Sequence, residues 1–169
     1  MIWNITGTLS FGILVLFEYS KCQSARKGIK RYNPWFLIGT ALLLLSWLML
    51  FLRGPIEYNK GFGAGITVLA IGAALYVYVM TIPVDKKGYA KDGLKTPVSR
   101  KGFYSKVRHP GVWCFLMCSI ATGIAVPEAF VSALWFALLN LLYVWLQDKY
   151  FFPVYLEGYE EYKKETRFL

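Results

Sequence analysis

The chain has 169 residues, 56% hydrophobic and 18% aromatic, with a mean hydropathy of +0.42; soluble domains run about 45–50% apolar, so the composition argues against one and for a single compact membrane domain. The formal charge of +9 does not imply nucleic acid, because the cations cluster between long apolar runs, as loops on the inner side of a membrane do. Three cysteines without CxxC spacing and a single histidine argue against a structural zinc site, and no metal is expected.

The fold class implied is all-α: a polytopic membrane protein with about five transmembrane helices, at about 2–19, 35–52, 61–83, 111–126 and 129–147. The first apolar run lacks a basic leader and a small-residue cleavage signal, so it is read as a retained span rather than a signal peptide. Lys21, Arg26, Lys27, Lys30 and Arg31 follow as a basic loop. Residues 35–52 carry no charge and at 1.5 Å per residue can cross a hydrocarbon layer of about 30 Å if it thins slightly. Gly54-Pro55 stops that helix. The third run is also uncharged and carries Gly61, Gly63, Gly65 and Gly72 with Ala64, Ala70, Ala73 and Ala74, a small-residue face suited to close helix packing.

After Pro83 a polar connection over 85–109 carries eight Lys or Arg against two Asp. The apolar chain resumes at Gly111 and runs to Gln147, broken only at Pro127-Glu128, which reads as a helical hairpin with a short or tilted first arm. The tail over 148–169 is charged. Thirteen Lys or Arg fall in the two proposed inner loops and only Arg53 and Lys60 in the outer turns, so the N-terminus is expected outside and the C-terminus in the cytoplasm.

This topology puts the stretch Gly102–Gly111, Gly-Phe-Tyr-Ser-Lys-Val-Arg-His-Pro-Gly, on the same side as the tail, at the two ends of the hairpin. Arg108 offers a planar fork of donors for a carboxylate, or sits at headgroup level as a helix-flanking cation. His109 is a hydrogen-bonding group or a polar cap, and Pro110 fits a first helical turn. Asp148 closes an apolar run, where an acid needs water or a partner such as Arg108. Tyr104, Phe103, Tyr159 and Tyr162 suit stacking or an interfacial aromatic belt. Cys114 and Cys118 share a face and read as packing residues, while Glu-Glu-Tyr-Lys-Lys-Glu reads as a solvated amphipathic helix.

At these residues the chain resembles a family. Gly102-Phe103-Tyr104-Ser105-Lys106-Val107-Arg108-His109-Pro110 is similar to the Gly-x-Tyr-x-x-Val-Arg-His-Pro signature of the isoprenylcysteine carboxyl methyltransferase and phospholipid methyltransferase superfamily. There a hairpin, an acidic pair and a Tyr-x-x-Tyr segment follow. Here Gln147-Asp148 stands at the acidic pair and Tyr159-Glu160-Glu161-Tyr162 at the segment, and Thr166-Arg167-Phe168 resembles the family's ending. The family often has Tyr and Gly where this chain has Val112 and Cys114. The resemblance covers 97–169 and implies a cofactor-binding half for S-adenosylmethionine. By the same resemblance Tyr104, Lys106, Val107, Arg108, His109, Pro110, Gln147, Asp148, Tyr159 and Tyr162 bind the cofactor, and Arg108, His109 and Arg167 act in catalysis. The implied partners are the lipid bilayer and a hydrophobic small-molecule or lipidated acceptor: an isoprenylcysteine carboxylate, a lipid amine or a thiol. Methyl transfer to such an acceptor asks the protein mainly to position donor and acceptor and exclude water. An NADPH-dependent reductase of the sterol type and a non-catalytic module of the same fold are the alternatives.

Overall fold

A computed structural model describes residues 2–28, 34–52, 60–81 and 95–169. The Gly54-Pro55 turn, Lys30 and Arg31, Pro83, and the part of the basic connection from Asp85 to Leu94 lie outside the described residues. The architecture is mostly helical: α1 (Ile2–Lys27), α2 (Trp35–Phe51), α3 (Lys60–Thr81), α4 (Pro110–Ala125), α5 (Phe130–Leu146), α6 (Phe152–Tyr155) and α7 (Tyr159–Glu165). Among the described residues three stretches are long and apolar enough to cross a membrane, Ile2–Lys27, Phe62–Val79 and Pro127–Tyr155, while Trp35–Phe51 and Pro110–Ala125 are shorter apolar helices.

Packing follows the small residues. α1 lies along α2, and α4 lies between α3 and α5. A Cβ built on Gly65 would stand 2.7 Å from the Cβ of Ala125 and 2.9 Å from the Ala121 carbonyl, and one on Gly72 would stand 2.9 Å from the Cys118 sulfur. The α3 glycine face is therefore the seam with α4, as the composition of α3 suggests, although Gly63, Ala70, Ala73 and Ala74 face outward. Phe11, Leu14, Leu50, Val126, Ala129 and Phe136 form the central core. Outward faces carry exposed Leu44, Leu48, Val131, Leu138 and Trp145, an apolar exterior that suits lipid as solvent.

Two boundaries differ from the sequence reading, the end of α1 and the end of the hairpin's second arm. α1 continues to Lys27, so Lys21, Arg26 and Lys27 ride on the helix rather than in a loop. Arg26 and Lys27 occupy its last turn, where cations complement the macrodipole. The hairpin tip is a 3₁₀ turn, Pro127–Ala129. The second arm does not end at Gln147 but passes through a π-helical turn, Gln147–Phe151, into α6. Beyond it, β2 (Leu156–Glu157) pairs in parallel with β1 (Thr96–Pro97), Thr96 opposite Leu156 and Pro97 opposite Glu157. Gly158, at φ +74°, then turns the chain into α7.

Candidate functional site

The stretch before α4 and the C-terminal tail are sewn together by backbone. A 3₁₀ turn, Gly102–Ser105, leads to Val107, which bridges in parallel to Arg167. The Arg108 amide donates to the Arg167 carbonyl at 2.9 Å and the Arg167 amide to the Lys106 carbonyl at 3.0 Å. The Tyr162 hydroxyl donates to the Tyr104 carbonyl at 2.6 Å. Outside this seam Arg100 pairs with Glu165 on the exposed face.

His109 is the residue before α4, and Pro110 takes the first helical position, where its missing N–H costs nothing. The imidazole makes no capping bond; it reaches instead to the π-helical turn, where Asp148 is buried at 6% exposure. Oδ1 of Asp148 accepts from Arg108 Nε at 2.7 Å, from His109 Nε2 at 3.1 Å and from the Tyr159 hydroxyl at 2.6 Å. Oδ2 faces the Lys163 ammonium at 3.6 Å. Such a donor set matches an ionised carboxylate, which only accepts. Arg108 Nη1 donates to the carbonyls of Lys163 at 3.0 Å and Thr166 at 2.6 Å, so the guanidinium joins Asp148 to the end of α7.

Aromatic rings line the same cluster. His109 stacks on Phe152 at 5.7 Å and meets Phe168 edge-on at 5.1 Å. Phe152 in turn meets Tyr159 at 5.4 Å. The Arg108 guanidinium lies 5.7 Å from the Phe168 ring, within cation–π range. Burial lowers the His109 pKa, against the opposing pull of Asp148, so the ring is neutral near pH 7 with Nε2–H donating to the carboxylate. Burial first, and then the bond to Asp148, raises the Tyr159 pKa; burial pushes Tyr162 up to about 12. Both phenols stay protonated and act as donors.

The structure thus brings together Arg108, His109, Asp148 and Tyr159, with Tyr162, Tyr104 and Pro110 supporting them. Lys106 and Arg167 contribute backbone to the seam while their residues are exposed, and Val107 is partly buried in the bridge. Phe103 is exposed at 52%. Gln147 turns away: its Nε2 donates to Glu18 Oε1 at 2.7 Å. Two contributors carried no motif signal, namely Phe152 and Lys163; the Thr166 carbonyl belongs to the Thr166-Arg167-Phe168 ending. Glu18 was detectable as the one acid inside the first apolar run, where a charge needs a partner. Cys114 is buried, and Cys118 lies against Leu69 and Gly72, so both act as packing residues. Compared with protein-family models, curated proteins and solved structures, the chain matches none.

Proposed function

We propose that the protein is an integral membrane methyltransferase that moves a methyl group from S-adenosylmethionine to a hydrophobic acceptor dissolved in the bilayer. The observation that carries the reading is the asymmetry of Asp148. Its Oδ1 is saturated by three donors, whereas Oδ2 faces a half-buried lysine beyond hydrogen-bond range. That oxygen suits a ribose hydroxyl or the amino group of the cofactor, and the rings of His109, Phe152 and Phe168 suit an adenine face. The residues present therefore fit the group. When bound, the cofactor supplies an electrophilic methyl on a sulfonium, so no covalent nucleophile is needed.

In this reading Arg108 works mainly by posture. Its fork fixes Asp148 and the end of α7, and so holds the carboxylate in one orientation. His109 holds a proton on Nε2 toward Asp148 and offers its ring face. Tyr162 ties α7 over the Gly102 turn and excludes water from the cluster. Five spans, with the N-terminus outside and the C-terminus in the cytoplasm, put this cluster at the inner membrane edge. There a polar cofactor enters from the aqueous side and an apolar acceptor from between helices.

A second reading has its own observation. Among the described residues no side-chain nitrogen or oxygen wholly shut off from solvent lacks a hydrogen-bond partner, and Gln147 brings no charge to the site, as in a module that keeps the fold without the chemistry. Calorimetric titration of the detergent-purified protein with S-adenosylhomocysteine separates the two. Saturable binding that weakens on Asp148→Asn supports the methyltransferase. Folded protein that takes up no ligand supports the non-catalytic module.

A further inference from the structure

Glu18 is buried at 3% exposure on α1 and receives three donors from one side. The Tyr143 hydroxyl and Gln147 Nε2 donate to Oε1 at 3.0 and 2.7 Å, and the Tyr155 hydroxyl donates to Oε2 at 2.7 Å. Tyr143 and Gln147 are one α-helical turn apart and share a face. In a regular helix Tyr155 would sit toward the edge of that face: eight residues at 100° each carry it about 80° round from Gln147. A π-turn takes up one extra residue, which sets the following chain back by about 100° and leaves Tyr155 within about 20° of Gln147. The π winding at Gln147–Phe151 therefore brings all three donors close to one line facing α1. The adjacent Asp148 lies on the same turn and meets Arg108 and His109, while Tyr159, which also donates to it, follows the turn in sequence.

We infer that Glu18 is a positioning residue: by clamping Tyr143, Gln147 and Tyr155 from α1, it holds the π-turn that presents Asp148 to Arg108, His109 and Tyr159. The inference rests on the reading of the Asp148 cluster as a cofactor site for its functional meaning, and on the hydrogen bonds alone for its structural one. A π-turn is rare inside an α-helix and recurs at functional sites. A buried carboxylate that accepts several donors is strong enough to hold it. The clamp also makes α1, a helix with no part in the sequence motif, a component of the site.

Three full-length variants, Glu18→Ala, Glu18→Gln and the exchange Glu18→Gln/Gln147→Glu, test the clamp by two readouts. Amide hydrogen exchange over 147–157 and 159–169, referenced to α4, reports the π-turn and the tail; S-adenosylhomocysteine titration reports the site. Glu18→Ala is expected to speed exchange in both segments and weaken the ligand by about tenfold or more, with α4 protected as before. The exchange variant restores one carboxylate and one amide across the contact between α1 and the π-turn, and is expected to recover both readouts to within about threefold. Wild-type exchange over 147–157 in Glu18→Ala, or an exchange variant no better than Glu18→Gln, overturns the proposal. If Glu18→Ala does not fold, the comparison of Glu18→Gln with the exchange variant decides. Should the wild type bind no S-adenosylhomocysteine, the methyltransferase reading falls and the exchange rates alone judge the clamp.

Discussion

His109 is the chain's only histidine, so its protonation can be followed in the stability of the whole protein. Burial holds its folded pKa below the ordinary 6.5, and Asp148 and Arg108 are the charged groups beside it. On acidification the unfolded chain takes up a proton at about pH 6.5 that the native state still refuses, so stability is full above that pH and declines below it. The decline ends once the native pKa is passed. Between pH 7 and 5.5 stability is expected to fall by no more than about 1 kcal/mol, read by thermal unfolding in detergent, and His109→Gln is expected to flatten the profile over this range. A wild-type profile that is level there contradicts a buried neutral imidazole. At this scale the sequence was partly legible. An acid at the end of an apolar run requires a partner, and Arg108 is that partner. The three-donor load on one oxygen of Asp148 was not legible, because it depends on where α7 lands. Glu18 left only the trace of an unexplained charge inside a span, since its donors lie more than a hundred residues away.

At the scale of elements, the α3–α4 seam separates glycines that do structural work from those that do not. A Cβ at Gly65 meets backbone nitrogen and carbonyl atoms of α4 that cannot swing aside, whereas one at Gly63 meets nothing within 4 Å. Gly65→Ala is therefore expected to lower stability by about 1–3 kcal/mol through overpacking, and Gly63→Ala to be neutral or to raise it by up to about 1 kcal/mol through helix propensity. Melting temperatures of the two purified variants test this, and equal shifts would remove the seam as the reason for the small residues. The seam was readable as a stripe of Gly and Ala; which members of the stripe touch α4 was not, because composition does not give helix rotation. The π-turn was illegible for a different reason. It is a change of hydrogen-bond register by one residue; Pro153, which cannot bond the Lys149 carbonyl, marks a disturbed helix two residues on but not a π register. The two-residue strands have no periodicity to read, although the seam they start is what fixes the tail.

For the whole molecule, the site exists because two segments some forty residues apart in sequence are brought to one end of a helical hairpin. The hairpin was legible from the apolar run broken at Pro127-Glu128, and so was the meeting of its ends. The length of α1 was not, because the polar residues after Phe17 suit a helix as well as a loop, and what decides is the packing of Glu18 and Cys22 against the chain from Tyr143 to Tyr155. If the clustered cations set the orientation as proposed, the exposed hairpin tip at Glu128 and the exposed α7 residue Lys164 lie on opposite sides of the membrane. Single Glu128→Cys and Lys164→Cys variants treated in intact cells with a membrane-impermeant maleimide should then differ, with the wild type as background for its own three cysteines. Glu128→Cys is expected to label before lysis and Lys164→Cys only after it. Labelling of Lys164→Cys in intact cells would put the Asp148 cluster on the outer side, away from a cytoplasmic supply of S-adenosylmethionine, and the cofactor proposed for it would have to be abandoned along with the topology.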